Sequence, residues 1–102
     1  MVLTILEATV EPERASDLQA AFRNAGSGAG SIPPGLVRSH LMSDASDGKR
    51  WRIETLWTSR EALMAMRQQG GTPAGVLMFR AAGAEPSLSV YEVASTIENA
   101  AT

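Results

Sequence analysis

The stretch Trp51–Met66, WRIETLWTSREALMAM, constrains the fold of this chain more than any other. Trp51, Ile53, Thr55 and Trp57 fall on one face of a strand, because strand side chains alternate. Thr58 follows as a candidate helix cap, with Glu61 three residues later as its reciprocal partner in a capping box. Ala62, Leu63 and Met66 then recur at helical spacing as an apolar stripe. A strand therefore runs straight into a helix, and both tryptophans of the chain lie in that unit. Such a unit either lines a pocket or fills a core.

The flanking segments supply its neighbours. Val2–Val10 is a strand with apolar groups on both faces (Val2, Leu3, Ile5, Leu6, Val10), which suits a central position. Glu11-Pro12 breaks it, and proline belongs in the first turn of a helix. Ala15, Leu18, Phe22 and Ala25 predict an amphipathic helix over Pro12–Ala25. Gly26–Gly35 (GSGAGSIPPG) is a loop. Its glycines do not sit between a strand and a following helix, and no lysine follows, so it is read as a connection rather than a phosphate cradle. Leu36–Ser43 is a second strand, with Leu36, Arg38, His40 and Met42 on one face and Val37, Ser39 and Leu41 on the other. The polar turn 44–50, with Asp47-Gly48 in it, joins this strand to Trp51–Trp57 as a hairpin. The helix from Ser59 stops at Gly70-Gly71. A short helical segment runs from Thr72 or Pro73 to about Ala82, and Leu88–Val93 is the last strand. Residues 1–94 read as one domain and 95–102 as a tail that frays or packs on a partner.

The order β-α-β-β-α-β is that of an α+β, ferredoxin-like sandwich: an antiparallel sheet with helices on one face. The second face would be bare and would carry large apolar groups, one or both tryptophans among them. A patch of that kind marks an interface or a ligand groove, and two such sheets face to face would make a symmetric dimer.

Composition removes several classes of function. A chain of 102 residues has room for one core. There is no cysteine, which excludes disulfides, thiolate metal sites and cysteine nucleophiles. With a single histidine, no metal site is expected. The net charge of −2 offers no basic field for nucleic acid. The apolar start lacks a basic region and reaches Glu7 too early for a signal peptide, and no run is long enough to span a membrane, so a cytoplasmic protein is expected.

The segment PPGLVRSHLMSDASDGKRWRIETLWTSREALMAM resembles the antibiotic biosynthesis monooxygenase family. The likeness lies in Pro34-Gly35 before the second strand, the polar 44–50 turn, and the run Trp57-Thr58-Ser59-Arg60-Glu61-Ala62-Leu63. The closing VYEVA at 90–94 is similar as well. The resemblance implies a dimeric α+β barrel. It also implies an enzyme of the kind that oxidises aromatic polyketides with O2 and no cofactor, or one that degrades haem. Haem-degrading members ligate iron through a helical histidine. This chain has Met66 in that region and no histidine over 62–80, which points away from haem.

Oxidation without a cofactor needs an electron-rich substrate, such as an anthrone or hydroquinone, that gives up a proton and passes an electron to O2. The protein must supply a base, a partner for the anion and a dry apolar pocket. His40 carries the one imidazole, and Arg38, two residues earlier on the same strand face, can hold an oxyanion. Trp57 completes the candidate catalytic set, or else is core packing. Candidate substrate-lining residues are Trp51, Ile53 and Thr55 on the Trp57 face, Met42 and Met66 as adaptable apolar walls, and Phe79, Arg80 and Tyr91 from later in the chain. The same base and arginine would also serve a redox-neutral cyclase or isomerase. A non-catalytic ligand-binding dimer is the third reading.

Overall fold

A computed structural model describes residues 1–27 and 32–99. Strand β1 (Val2–Thr9) leads through a 3-10 turn at Pro12–Arg14 into helix α1 (Ala15–Ser27). Strands β2 (Leu36–Ser43) and β3 (Arg50–Trp57) form the hairpin. Helices α2 (Arg60–Gln68) and α3 (Ala74–Ala81) follow, and then strand β4 (Ser87–Glu92). The strands make one antiparallel sheet in the order β2-β3-β1-β4. This is the ferredoxin-like α+β arrangement expected from the element order, with α3 as a second piece of helix before the last strand. Residues 28–31 of the glycine-rich loop and 100–102 of the tail lie outside the described residues.

Register decides which side chains share a face. Val2, Thr4, Leu6 and Ala8 of β1 stand opposite Trp57, Thr55, Ile53 and Trp51 of β3. These pairs lie beneath the helices. Leu3, Ile5 and Glu7 stand opposite Leu56, Glu54 and Arg52 on the open face. Both tryptophans are therefore on the helix side, which corrects the expectation that the open face would carry one. The reason is local: Trp57 is two residues from the cap of α2, so its face of β3 packs under the helix that β3 feeds.

A second correction concerns β2. Leu36 pairs with Trp57 but Arg38 pairs with Leu56, so one extra residue is inserted between them as a β-bulge. The bulge turns Leu36 to the helix side, where it packs with Val2, Trp57 and Leu63. Arg38, His40 and Met42 remain on the open face. Leu36 therefore does not share their face, as plain alternation had suggested.

The junction between β3 and α2 also differs from expectation. The cap is Ser59, not Thr58: its backbone is extended and its hydroxyl Oγ accepts the Ala62 N–H at 3.0 Å. Thr58 instead donates its N–H to the Gly35 carbonyl at 2.8 Å. Gly35 has φ +86°, and a Cβ there would lie 2.4 Å from the Ala62 Cβ. The chain must thus be glycine before β2 and small at Ala62 for the hairpin and helix to meet.

Two apolar clusters stabilise the helix side. The larger contains Val10, Leu18, Ile53, Phe79 and Ala82, with Leu6, Phe22 and Met78 against it, and lies under α1 and α3. Phe79 and Leu18 are fully buried, each contributing about 2 kcal/mol of hydrophobic stabilisation. The smaller contains Val2, Trp57 and Leu63, with Leu36 and Met66, and lies under α2. Arg14 ties α1 to α3 by donating from Nη2 to the Ala81 carbonyl at 2.6 Å. No helix among the described residues is long and apolar enough to cross a membrane.

Candidate functional site

A row of polar side chains runs across the sheet between the two apolar clusters. The buried Trp57 indole donates from Nε1 to Thr4 Oγ1 at 3.2 Å. The Thr4 hydroxyl donates in turn to the Thr55 carbonyl at 3.4 Å. Thr55 Oγ1 and Ser39 Oγ lie 2.9 Å apart, and either can be the donor. The register explains the row: Thr4 stands opposite Thr55 on β1 and β3, and Ser39 stands opposite Thr55 on β2 and β3.

Such a row is costly in an apolar layer unless its groups find partners. The row holds four donor protons: one indole N–H and three hydroxyls. Three are used by the bonds just given. Among the described residues the fourth, on Ser39 or Thr55, meets no acceptor. The row also holds no ionisable group, so it can orient and hydrogen-bond a ligand but cannot take up its proton.

The candidate base lies on the other side of the sheet. Arg38 and His40 line one cavity of about 340 Å³ on the open face. Its walls include Leu3, Leu56, Val93 and Met1, with Glu54, Thr96 and Glu98 as further polar groups. His40 stands opposite Glu54 in the β2–β3 register. His40 and Arg38 are thus brought together, but the sheet separates both from Trp57.

Charge on this face is largely paired internally. Arg52 binds Glu7 at 2.6 Å and Glu54 at 3.2 Å, and Arg50 reaches Glu7 at 3.0 Å. The hydrogen bonds from Arg52 hold the Glu7 carboxyl below its ordinary range, and those from Glu7 and Glu54 raise Arg52 above its own.

The remaining candidates divide between the faces. Thr55 belongs to the polar row, and Met66 packs beside Trp57 in the smaller cluster. Ile53 and Phe79 are buried in the larger cluster, with Trp51 packed against them. The buried Trp51 Nε1 has no hydrogen-bond partner among the described residues. Met42 and Tyr91 are on the open face. Arg80 is exposed and held by Glu85 at 2.6 Å. The sequence reading did not single out Thr4 or Ser39. Their signal was present as polar residues at positions whose neighbours, Leu6 and Leu41, are apolar on the same face.

The fold agrees with comparisons to known proteins. A search of curated proteins found no match. Among solved structures, the chain is similar to a Deinococcus radiodurans protein assigned to the antibiotic biosynthesis monooxygenases. That pair shares 16% identity over 97% of this chain and 98% of the other, with a TM-score of 0.72. A variant of SnoaB, a cofactor-independent oxygenase from Streptomyces nogalater, aligns at 16% identity over 96% and 97% of the two chains, with a TM-score of 0.70. A variant of MhuD with two manganese protoporphyrin IX molecules in each active site aligns at 20% identity over 97% and 100%, also with a TM-score of 0.70. At these identities the likeness is one of fold. The sequence itself matches the family model for antibiotic biosynthesis monooxygenase over residues 1–72, and the chain belongs to that family.

Proposed function

We propose that this protein is a cofactor-independent monooxygenase that oxidises an electron-rich polycyclic aromatic metabolite, of the anthrone or hydroquinone type found among antibiotic polyketides. The substrate would bind on the helix side of the sheet, over the row Ser39–Thr55–Thr4–Trp57. One observation carries this placement: the row leaves a hydroxyl donor unused between two apolar clusters, where a stable core would place only apolar groups. A flat apolar substrate would lie against the apolar side chains of the clusters, with its oxygen accepting from the unused hydroxyl.

The chemistry follows from that environment. Hydrogen bonds to the substrate oxygen favour its anion, and the proton leaves to solvent. The anion passes one electron to O2, the radical pair recombines as a peroxide anion, and a proton taken back from solvent gives the hydroperoxide. Loss of water leaves a carbonyl, so one methylene and one O2 become one C=O and one H2O. Exclusion of bulk water protects the intermediates. Oxygen uptake with anthrone-type substrates, in protein free of flavin and metal, tests the reading. Uptake matched by quinone formation is expected; none across a panel of such substrates contradicts it.

A second reading rests on the shared cavity of His40 and Arg38. A base beside a cation suits proton transfer on a carbonyl compound, as in a redox-neutral cyclase or isomerase. It predicts turnover under strict anaerobiosis, which the oxygenase reading forbids.

Haem does not suit the helix side. The chain's one histidine is on the open face, and residues 60–81 under which the row lies contain none. The open face itself, with Leu3, Ile5, Leu56 and Tyr91 clear of the helices, suits a homodimer formed sheet to sheet.

A further inference from the structure

We infer that Val90 and Leu88, on the helix side of β4, form the platform that receives the far ring of the substrate, so that a four-ring system is selected over a three-ring one at this edge of the sheet. The inference rests on the helix-side oxygenase reading and adds which ring count the site prefers and which residues read it.

Three observations carry it. First, register extends the polar row to the edge strand. Thr4 stands opposite Val90, so the row Ser39–Thr55–Thr4 ends on Val90. At a strand spacing of about 4.8 Å, Val90 is about 10 Å from Thr55 and about 14 Å from Ser39. One of those two residues holds the unused hydroxyl proton. Second, the helices stop short of β4. Helix α3 comes down on β1 at Gly75, where a Cβ would lie 2.6 Å from Leu6 Cδ1. Leu88, the partner of Leu6, and Val90 are left 52% and 47% exposed. Third, the opening is bounded on its other side. Glu92, the next helix-side residue, pairs with Arg60 at the start of α2. Thr4 lies between Val2, which packs under α2, and Leu6, which packs under α3. Val90 beside it therefore floors the mouth of the gap between the two helices.

A linear polycycle anchored by its oxygen at Ser39 or Thr55, and lying along the row, crosses Thr4 and comes out over β4. A ring that reaches this far leaves the cover of the helices and meets Val90 and Leu88, two apolar side chains with no charged group between them. Covering their exposed area is favourable, and a shorter ring system leaves that area in water. The row also changes character here. Valine has the shape of threonine with a methyl in place of the hydroxyl, so the row turns apolar at the one position where exposure would tolerate a hydroxyl.

Quinone products of the proposed reaction report binding without turnover. A hydroxylated anthraquinone and the naphthacenequinone with the same oxygen pattern are titrated into the full chain by calorimetry. Wild type should bind the four-ring quinone at least about fivefold more tightly than the three-ring one. Val90→Asn alters a half-exposed edge position outside both core clusters. It should abolish that margin and leave the three-ring Kd within about twofold of wild type, while Val90→Ile keeps the margin. Leu88→Gln, at a similarly exposed position, is the second variant, with the same expectation as Val90→Asn. A wild type without the margin, or a margin unchanged in both polar variants, overturns the platform alone, because the oxygenase reading is decided by oxygen uptake. Binding of neither quinone overturns the platform and the helix-side placement together.

Discussion

At the scale of single residues, the most exacting position is Gly35. Its left-handed backbone and the 2.4 Å approach of a built Cβ to Ala62 leave no room for a side chain. Gly35→Ala should destabilise the protein by about 2 kcal/mol or more, read from the midpoint of urea unfolding. Ala62→Gly in the same background should recover only part of the loss, because it relieves the clash and not the positive φ. Glu7 gives a test with pH. Hydrogen bonds from Arg52 depress its carboxyl in the folded state. A depressed pKa stabilises above the ordinary glutamate value, and that stabilisation is lost as pH falls through the folded value. Wild type should therefore exceed Glu7→Gln in stability at neutral pH, and the gap should close in acid. A gap that widens in acid would reverse the assignment. Side-chain identity was legible here to different degrees. His40 and Arg38 stood out by their chemistry and do share a cavity. Thr4 and Ser39 did not, because threonine and serine in strands are commonplace until register shows them in one row.

At the scale of elements, alternation and helical spacing were enough to place the strands and α-helices among the described residues within three residues, the 3-10 turn at Pro12–Arg14 having been read as the start of α1. What they missed were single insertions and caps. Pattern reading assumes an unbroken period of two, and the bulge after Leu36 breaks it, moving Leu36 to the helix side. Thr58 and Ser59 are both capping residues, and only backbone geometry decides between them. Ser59→Ala should cost about 1 kcal/mol of stability, whereas Thr58→Ala, which keeps its backbone bond to Gly35, should cost less. The two helical groups are held by different means. Arg14 satisfies the Ala81 carbonyl at the end of α3, so Arg14→Ala should lower stability by about 1 kcal/mol in thermal or urea unfolding. Helix α2 has its own cluster and its own cap, and the polar row lies where the two groups part.

At the scale of the whole molecule, the sheet is a wall with chemistry on both sides. Periodicity said which side chains share a strand face, but it could not say which face the helices cover. That choice is made by packing of the Trp57 face beneath α2 and α3, and it divides Trp57 from His40. One assay therefore distinguishes the two faces: the helix-side row, not the open-face pair, is expected to support oxidation. Initial rates of oxygen uptake should be compared for Ser39→Ala, Thr55→Val and His40→Gln with the same anthrone-type substrate, each variant first shown to be folded. At least one of Ser39→Ala and Thr55→Val should lose about tenfold or more, the scale of one hydrogen bond to the reacting oxygen, while His40→Gln stays within about twofold of wild type. Loss of activity in His40→Gln with full activity in the two row variants would contradict the claim and move the reaction to the open face.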